Sequence, residues 1–140
     1  MGIRHVRLIA LLAAAALCAG AAAATSASAC PEGLRPAETA QLFFGRSMGE
    51  MGEVSDADWR AFVDAEVSPR FPNGLTVSDV YGQWKSPAGD FVREDSKALF
   101  VVLAGAPGER QRLELIRDAY KRRFHQQSVL LVEQKACVAF

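Results

Sequence analysis

The sequence predicts an α+β domain, and three observations carry that expectation. Two stretches repeat apolar residues at helical spacing, four others read as strands, and the six follow one another as β-α-β-β-α-β. That order is the arrangement of the ferredoxin-like fold, a four-stranded antiparallel sheet with two helices on one face.

The chain has 140 residues, a length that fits one domain. Its first part reads as a cleaved secretory signal peptide, residues 1–29. Arg4 and Arg7 precede an uncharged apolar run over residues 8–24, and Ala27-Ser28-Ala29 supplies the small-residue pattern that signal peptidase accepts. The alternative, an uncleaved anchor, is disfavoured because the run is Ala-rich and shorter than the ~20 apolar residues of a span. The expected location is therefore exported, periplasmic or secreted, with residues 30–140 as the mature domain. Lys+Arg and Asp+Glu both number 16, and losing Arg4 and Arg7 leaves a mature net charge of −2. That balance points away from nucleic acid; Lys121, Arg122 and Arg123 sit where a helix ends, at the negative pole of its dipole.

The elements follow in order. Residues 31–36, punctuated by Pro31, Gly33 and Pro36, form an arm. Residues 39–46 are a short apolar, aromatic run bounded by glycine, the first strand, and residues 47–53 a Gly/Met loop. Ser55 and Asp58 make a capping box with Asp in place of Glu, and Val54 with Trp59 a hydrophobic staple. Trp59, Phe62, Val63 and Val67 then repeat at helical spacing, predicting a helix over residues 56–67 that stops at Ser68-Pro69. Asn73-Gly74 turns the chain into a strand from Leu75 to Trp84. Residues 85–90 are a turn, and residues 91–104 return as the hairpin partner, apolar at every position from Ala98 onward. Such a strand is covered on both sides and therefore central. Residues 109–127 carry Leu113, Ile116, Tyr120 and Phe124 on one stripe, and residues 128–140 are the last strand.

Of three cysteines, Cys18 lies in the signal, leaving Cys30 and Cys137. In an oxidising compartment the pair reads as a disulfide. A lipid anchor on Cys30, the first mature residue, stays open beside it, though Ala27 stands where such signals usually have Leu. In the ferredoxin-like fold the first strand's start lies near the fourth strand's end, which brings Cys30 towards Cys137.

Phe44-Gly45-Arg46, Ser55-Asp56 with Trp59 and Phe62, Pro69-Arg70-Phe71-Pro72 with Gly74-Leu75-Thr76-Val77, Gly82-Gln83-Trp84, Glu94 with Ser96-Lys97, and Tyr120, Phe124, Gln127-Ser128-Val129 together carry a resemblance. The chain resembles the bacterial domain-of-unknown-function 3574 family of small exported proteins, from about Leu42 to Phe140. Ser68 stands where that family is expected to have Thr. The resemblance implies no activity, cofactor or partner. Residue by residue, Pro69, Arg70, Phe71, Pro72 and Gly74 read as a rigid helix-to-strand connection, with Phe71 plugging the core and Arg70 pairing with a nearby carboxylate or carbonyl.

Sequence motifs for chemistry are scarce. The mature chain has one histidine, His125, in a helix C-terminus, no His/Cys pair at ligand spacing for a metal, and no phosphate-cradling loop. No cofactor and no catalytic residue is expected. The topology does gather a polar set at one pole, namely Arg46, Trp84, Glu94 and Gln127 under the Gly/Met loop, suited to a small anionic or sugar-like ligand. The plainer expectation for the same residues is an Arg46–Glu94 ion pair pinning two strands. A different class is a non-catalytic interaction module. Helices cover one face of the sheet, yet the third and fourth strands are apolar on both, so either a homodimer or the N-terminal arm covers the other face. An enzyme with few polar groups in an enclosed cavity is the third class.

Overall fold

The computed structural model describes residues 30–140; the expected signal peptide, residues 1–29, and Cys18 lie outside the described residues. The elements are β1 (Arg35–Gly45), α1 (Asp56–Phe62), β2 (Thr76–Lys85), β3 (Phe91–Leu103), α2 (Glu109–Arg123) and β4 (Leu130–Val138). The strands form an antiparallel sheet in the order β2-β3-β1-β4, the ferredoxin-like arrangement with β1 and β3 in the middle.

The alternation of β1 and β3 explains where the core sits. Ala40, Leu42 and Phe44 of β1 and Leu99, Val101 and Leu103 of β3 are buried beneath the helices. Helix α1 contributes Trp59 and Phe62, and α2 contributes Leu113, Ile116 and Tyr120. Phe44, Trp59, Phe62, Tyr120 and Phe124 form one aromatic cluster with centroids 4.8 to 6.1 Å apart, mostly tilted or edge to face. The Tyr120 hydroxyl escapes burial without a partner by donating to the Gly45 carbonyl at 2.9 Å.

Local signals act as their chemistry dictates. The Ser55 hydroxyl accepts from the Asp58 amide at 3.1 Å and donates to the Asp58 carboxylate at 2.6 Å. Asp is one methylene shorter than Glu, and its carboxylate takes the cap's hydroxyl. Val54 and Trp59 are both buried, as a staple requires. After Phe62 the helix widens into a π-helical turn, Val63–Val67, and the Pro69–Gly74 connection follows. Arg70 donates to the Glu66 carbonyl at 2.6 Å and pairs with its carboxylate at 2.9 Å, while Phe71 is buried. Before α2, the Glu109 carboxylate accepts the amides of Ala104 and Gly105, both at 3.0 Å.

Three elements differ from expectation by two residues or more. β1 begins at Arg35, four residues early, because Arg35 and Pro36 pair with Val138 and Cys137 of β4. Pro36 is tolerated there because β3 pairing starts only at Glu38, leaving one side of the strand unpaired. Helix α2 ends at Arg123, short of Gln127, and His125 turns the chain with φ 54°. β4 is shorter than residues 128–140 at both ends.

Cys30 and Cys137 are joined in a disulfide, the bond type of oxidising compartments. Cys137 has the strand parity of Leu131, which packs on the core, and of Glu133, which pairs with Arg110 of α2. The bond therefore anchors the arm on the helix side, and the arm does not fold across the other face. That face stays open among the described residues. On it, Phe43 of β1 stands between Ala98 of β3 and Leu130 of β4, and Gln41 between Phe100 and Val132.

Candidate functional site

At the pole where β1 ends, the structure distributes the four predicted site residues among separate partners. Arg46 donates through Nε to the Val54 carbonyl at 2.8 Å and approaches Asp56 at 3.5 Å. The Glu94 carboxylate accepts the Ser47 amide at 3.1 Å. The expected Arg46–Glu94 pair is not formed: the chain reverses after Gly45, so Arg46 turns to the residues leading into α1. Trp84 stands half-exposed in β2 opposite Val92, and Gln127 is exposed. Among the described residues no hydrogen bond or ion pair joins any two of these four.

Other groups tie this pole together. Gln126, beside the expected Gln127, donates to the Ser47 carbonyl at 2.6 Å. Tyr120 reaches Gly45, and burial pushes its hydroxyl pKa upward. Lys97 is the least expected, a lysine only 5% exposed, held by Asp56 at 2.8 Å and by Asp79 across the β2–β3 pair. Accepting from Lys97 holds the Asp56 carboxyl below its ordinary range, with Arg46 adding to it, while the bonds Lys97 donates to Asp56 and Asp79 raise the pKa of its ammonium. A lysine so held stays protonated and serves as a tie between α1, β2 and β3, not as a nucleophile. Its signal in the sequence was a cation placed on the core-facing parity of an otherwise apolar strand.

The opposite pole carries a groove of about 780 Å3 on the open face, with Arg35, Thr76, Phe100, Val102, Val138 and Phe140 among its walls. Asn73 and Gly74 close one side, so the most recognisable wording of the sequence lies at the disulfide pole. Arg35 is the one charged side chain in the wall, its guanidinium 5.2 Å from the Phe140 ring.

Past Ser96, the partner of Gly45, β3 has no β1 beside it. The Arg46 amide still donates to the Asp95 carbonyl and the Ser47 amide to Glu94, and beyond them β2 and β3 continue as a free two-stranded ribbon from Gln83↔Arg93 to Lys85↔Phe91. Exposure past Ser96 is high for apolar side chains: Tyr81 76%, Phe91 70%, Trp84 49% and Val92 36%. By register Trp84 and Val92 share the open face with Phe100 and Val102, and Tyr81 and Phe91 point to the helix side.

Among the described residues no group of three His, Cys, Asp or Glu is placed to hold a metal, and no helix is long and apolar enough to cross a membrane. His125 is exposed in its turn.

Comparison with solved structures gives a phage SAM lyase in complex with S-methyl-5'-thioadenosine, at TM-score 0.56 and 15% identity over 74% of this chain and 90% of that one. A phage SAM lyase in the apo state gives 0.55 and 16%, over 75% and 90%. B. subtilis GlnK with ATP gives 0.43 and 10%, over 71% and 82%. At these identities the likeness to the two lyase structures shows a shared fold alone, and the GlnK likeness is too slight to argue from. No curated protein sequence matches the chain. A profile of the family described as "Protein of unknown function (DUF3574)" matches residues 39–140, from the centre of β1 through β4, and the chain therefore belongs to the DUF3574 family.

Proposed function

We propose that this chain is an exported, non-catalytic interaction module that pairs with a second copy of itself through the open face of its sheet. One observation carries the proposal: a face spans all four strands with no helix over it, Phe43, Trp84, Val92, Phe100, Val102, Leu130, Val132 and Val138 standing on it among small and polar residues, and Leu130 and Trp84 are 59% and 49% exposed. The size supports a pairing surface. The strands are staggered, β4 at one end and the β2–β3 ribbon at the other, and about 40 strand residues at about 3.3 by 4.8 Å each give a projected face of roughly 650 Å2. A stable interface removes roughly 800 Å2 from each partner, which such a corrugated face can supply. Export is supported by the signal-like leader and by the disulfide.

Sedimentation of the mature, disulfide-intact protein at micromolar concentration tests the pairing. A dimer is expected, and L130E combined with V102E should return a folded monomer. A native protein that stays monomeric across that range overturns the proposal.

A second reading keeps a small-ligand or catalytic site at the pole of Arg46, Trp84, Glu94 and Gln127, favoured by the loop of residues 47–53 that Glu94 and Gln126 hold over it. It is the weaker of the two, because Arg46 and Glu94 already have partners. Thermal-shift screening against small anions and sugars tests it: a stabilising compound whose effect R46A and E94A abolish supports it, and no hit leaves the pole a strut.

A further inference from the structure

The open face is not uniform, and its unevenness selects a pose. A pairing of two identical copies uses one patch twice, so every protrusion must meet a recess elsewhere on the same patch. This face has one of each, on the same two strands. The Trp84↔Val92 pair stands out on the free ribbon at one end, and the Thr76↔Phe100 pair borders the 780 Å3 groove at the other. The pairs are eight residues apart, about 26 Å along the strands, with the Val80↔Ser96 pair midway.

Resting on the self-pairing proposed above, we infer that the two copies are related by a two-fold axis running across the strands near Val80 and Ser96, so that each copy's ribbon lays Trp84 and Val92 into the other's groove. An axis along the strands would instead bring ribbon onto ribbon and leave both grooves open. The ribbon itself argues for a recess. A two-stranded hairpin without a third strand is marginal in water, and this one presents large apolar side chains over a pair with few other contacts. Seating it in a groove walled by Phe100, Val102 and Val138 removes both defects at once. Among the described residues Arg35 is the one charged side chain of the groove wall, and Glu94, on the same face between Val92 and Ser96, keeps the Ser47 amide as its partner when water leaves.

The test uses single cysteines that leave the native disulfide and Trp84 in place. V92C copies and T76C copies, one carrying an affinity tag, are mixed at dimer-forming concentration and treated with a bismaleimide spanning about 10 Å, the separation of stacked sheets. Both positions are exposed enough to take the change. Mixed V92C–T76C product is expected at least tenfold above the product of V92C with itself, whose cysteines would lie far beyond the reagent's span. S96C, close to the axis, should link to itself. Dominant V92C self-linking, or a dimer that yields no mixed product, overturns this pose while leaving the self-pairing intact. A sedimenting monomer removes both.

Discussion

Gly45 offers the sharpest single substitution, because the structure prescribes its cost. A Cβ built there would lie 2.5 Å from one Glu94 carboxylate oxygen and 3.0 Å from its Cδ. The backbone at Gly45 is not in the left-handed region, so alanine suffers no conformational strain and the clash is the whole penalty. Glu94 must swing away, which breaks its hydrogen bond from the Ser47 amide. A bond to a charged acceptor contributes up to about 1.5 kcal/mol in a half-exposed setting. Reduced freedom of the unfolded chain offsets about 0.5 kcal/mol of that loss. The net expectation for G45A is a loss of about 1 kcal/mol. At about 2.1 cal/mol/K per residue for residues 30–140, this lowers Tm by about 4 °C. In an E94A background the obstacle is gone, and G45A should raise stability by about 0.5 kcal/mol, a coupling of about 1.5 kcal/mol in the double-mutant cycle. Thermal and urea denaturation of the four oxidised proteins measures it. Equal effects of G45A in both backgrounds would refute the assignment of Glu94 as the strut that holds the loop of residues 47–53.

Three further outcomes are expected. Asp56 has a folded pKa below its ordinary 3.8, so its contribution is present above that value and fades as pH falls through the lowered one; Lys97, raised above 10.5, contributes below that value and loses its contribution as pH climbs through the raised one. Stability measured against pH should therefore fall at both extremes, and K97M should flatten both limbs. Reducing the Cys30–Cys137 bond, which closes 107 residues, should cost about 5 kcal/mol and lower Tm by about 20 °C; mass spectrometry of the mature protein should find it two hydrogens lighter than its reduced form and free of acyl groups, and an acylated Cys30 would contradict the bond. W84A should weaken self-association by about 30-fold in sedimentation, a loss of about 2 kcal/mol, while the monomer's Tm moves by less than about 1 °C.

Connectivity was legible because its signals are local. Ser55 and Asp58, Pro69 to Gly74 and the apolar run after Ala98 each state a start, a stop or a burial pattern within a few residues, and the order of elements follows from them. Arg70 was legible for the same reason, since its partner Glu66 is one helical turn away. The partner of Arg46 was not, because Val54, Asp56 and Glu94 all lie within reach of a long flexible side chain, and the turn after Gly45 decides among them. Gln126 and Gln127 are indistinguishable by type, and only the left-handed turn at His125 determines which meets Ser47. Pro36 misled the start of β1, since proline ends strands unless one side is unpaired, a fact of the neighbouring strand's length. The free ribbon likewise arises from β1 being shorter than β3, which no residue of the ribbon encodes.

The order β2-β3-β1-β4 also governs when the molecule can exist during synthesis. β1, made first, is central and is flanked by β3 and β4, and β4 is made last. Until Val138 has left the ribosome, β1 lacks one neighbour and Cys30 lacks its bond. The β2–β3 hairpin can close early, but β1 meets its last neighbour, and Cys30 its partner Cys137, only at the end. The two ends are fastened together only after β4 has been made, and only where oxidation is available.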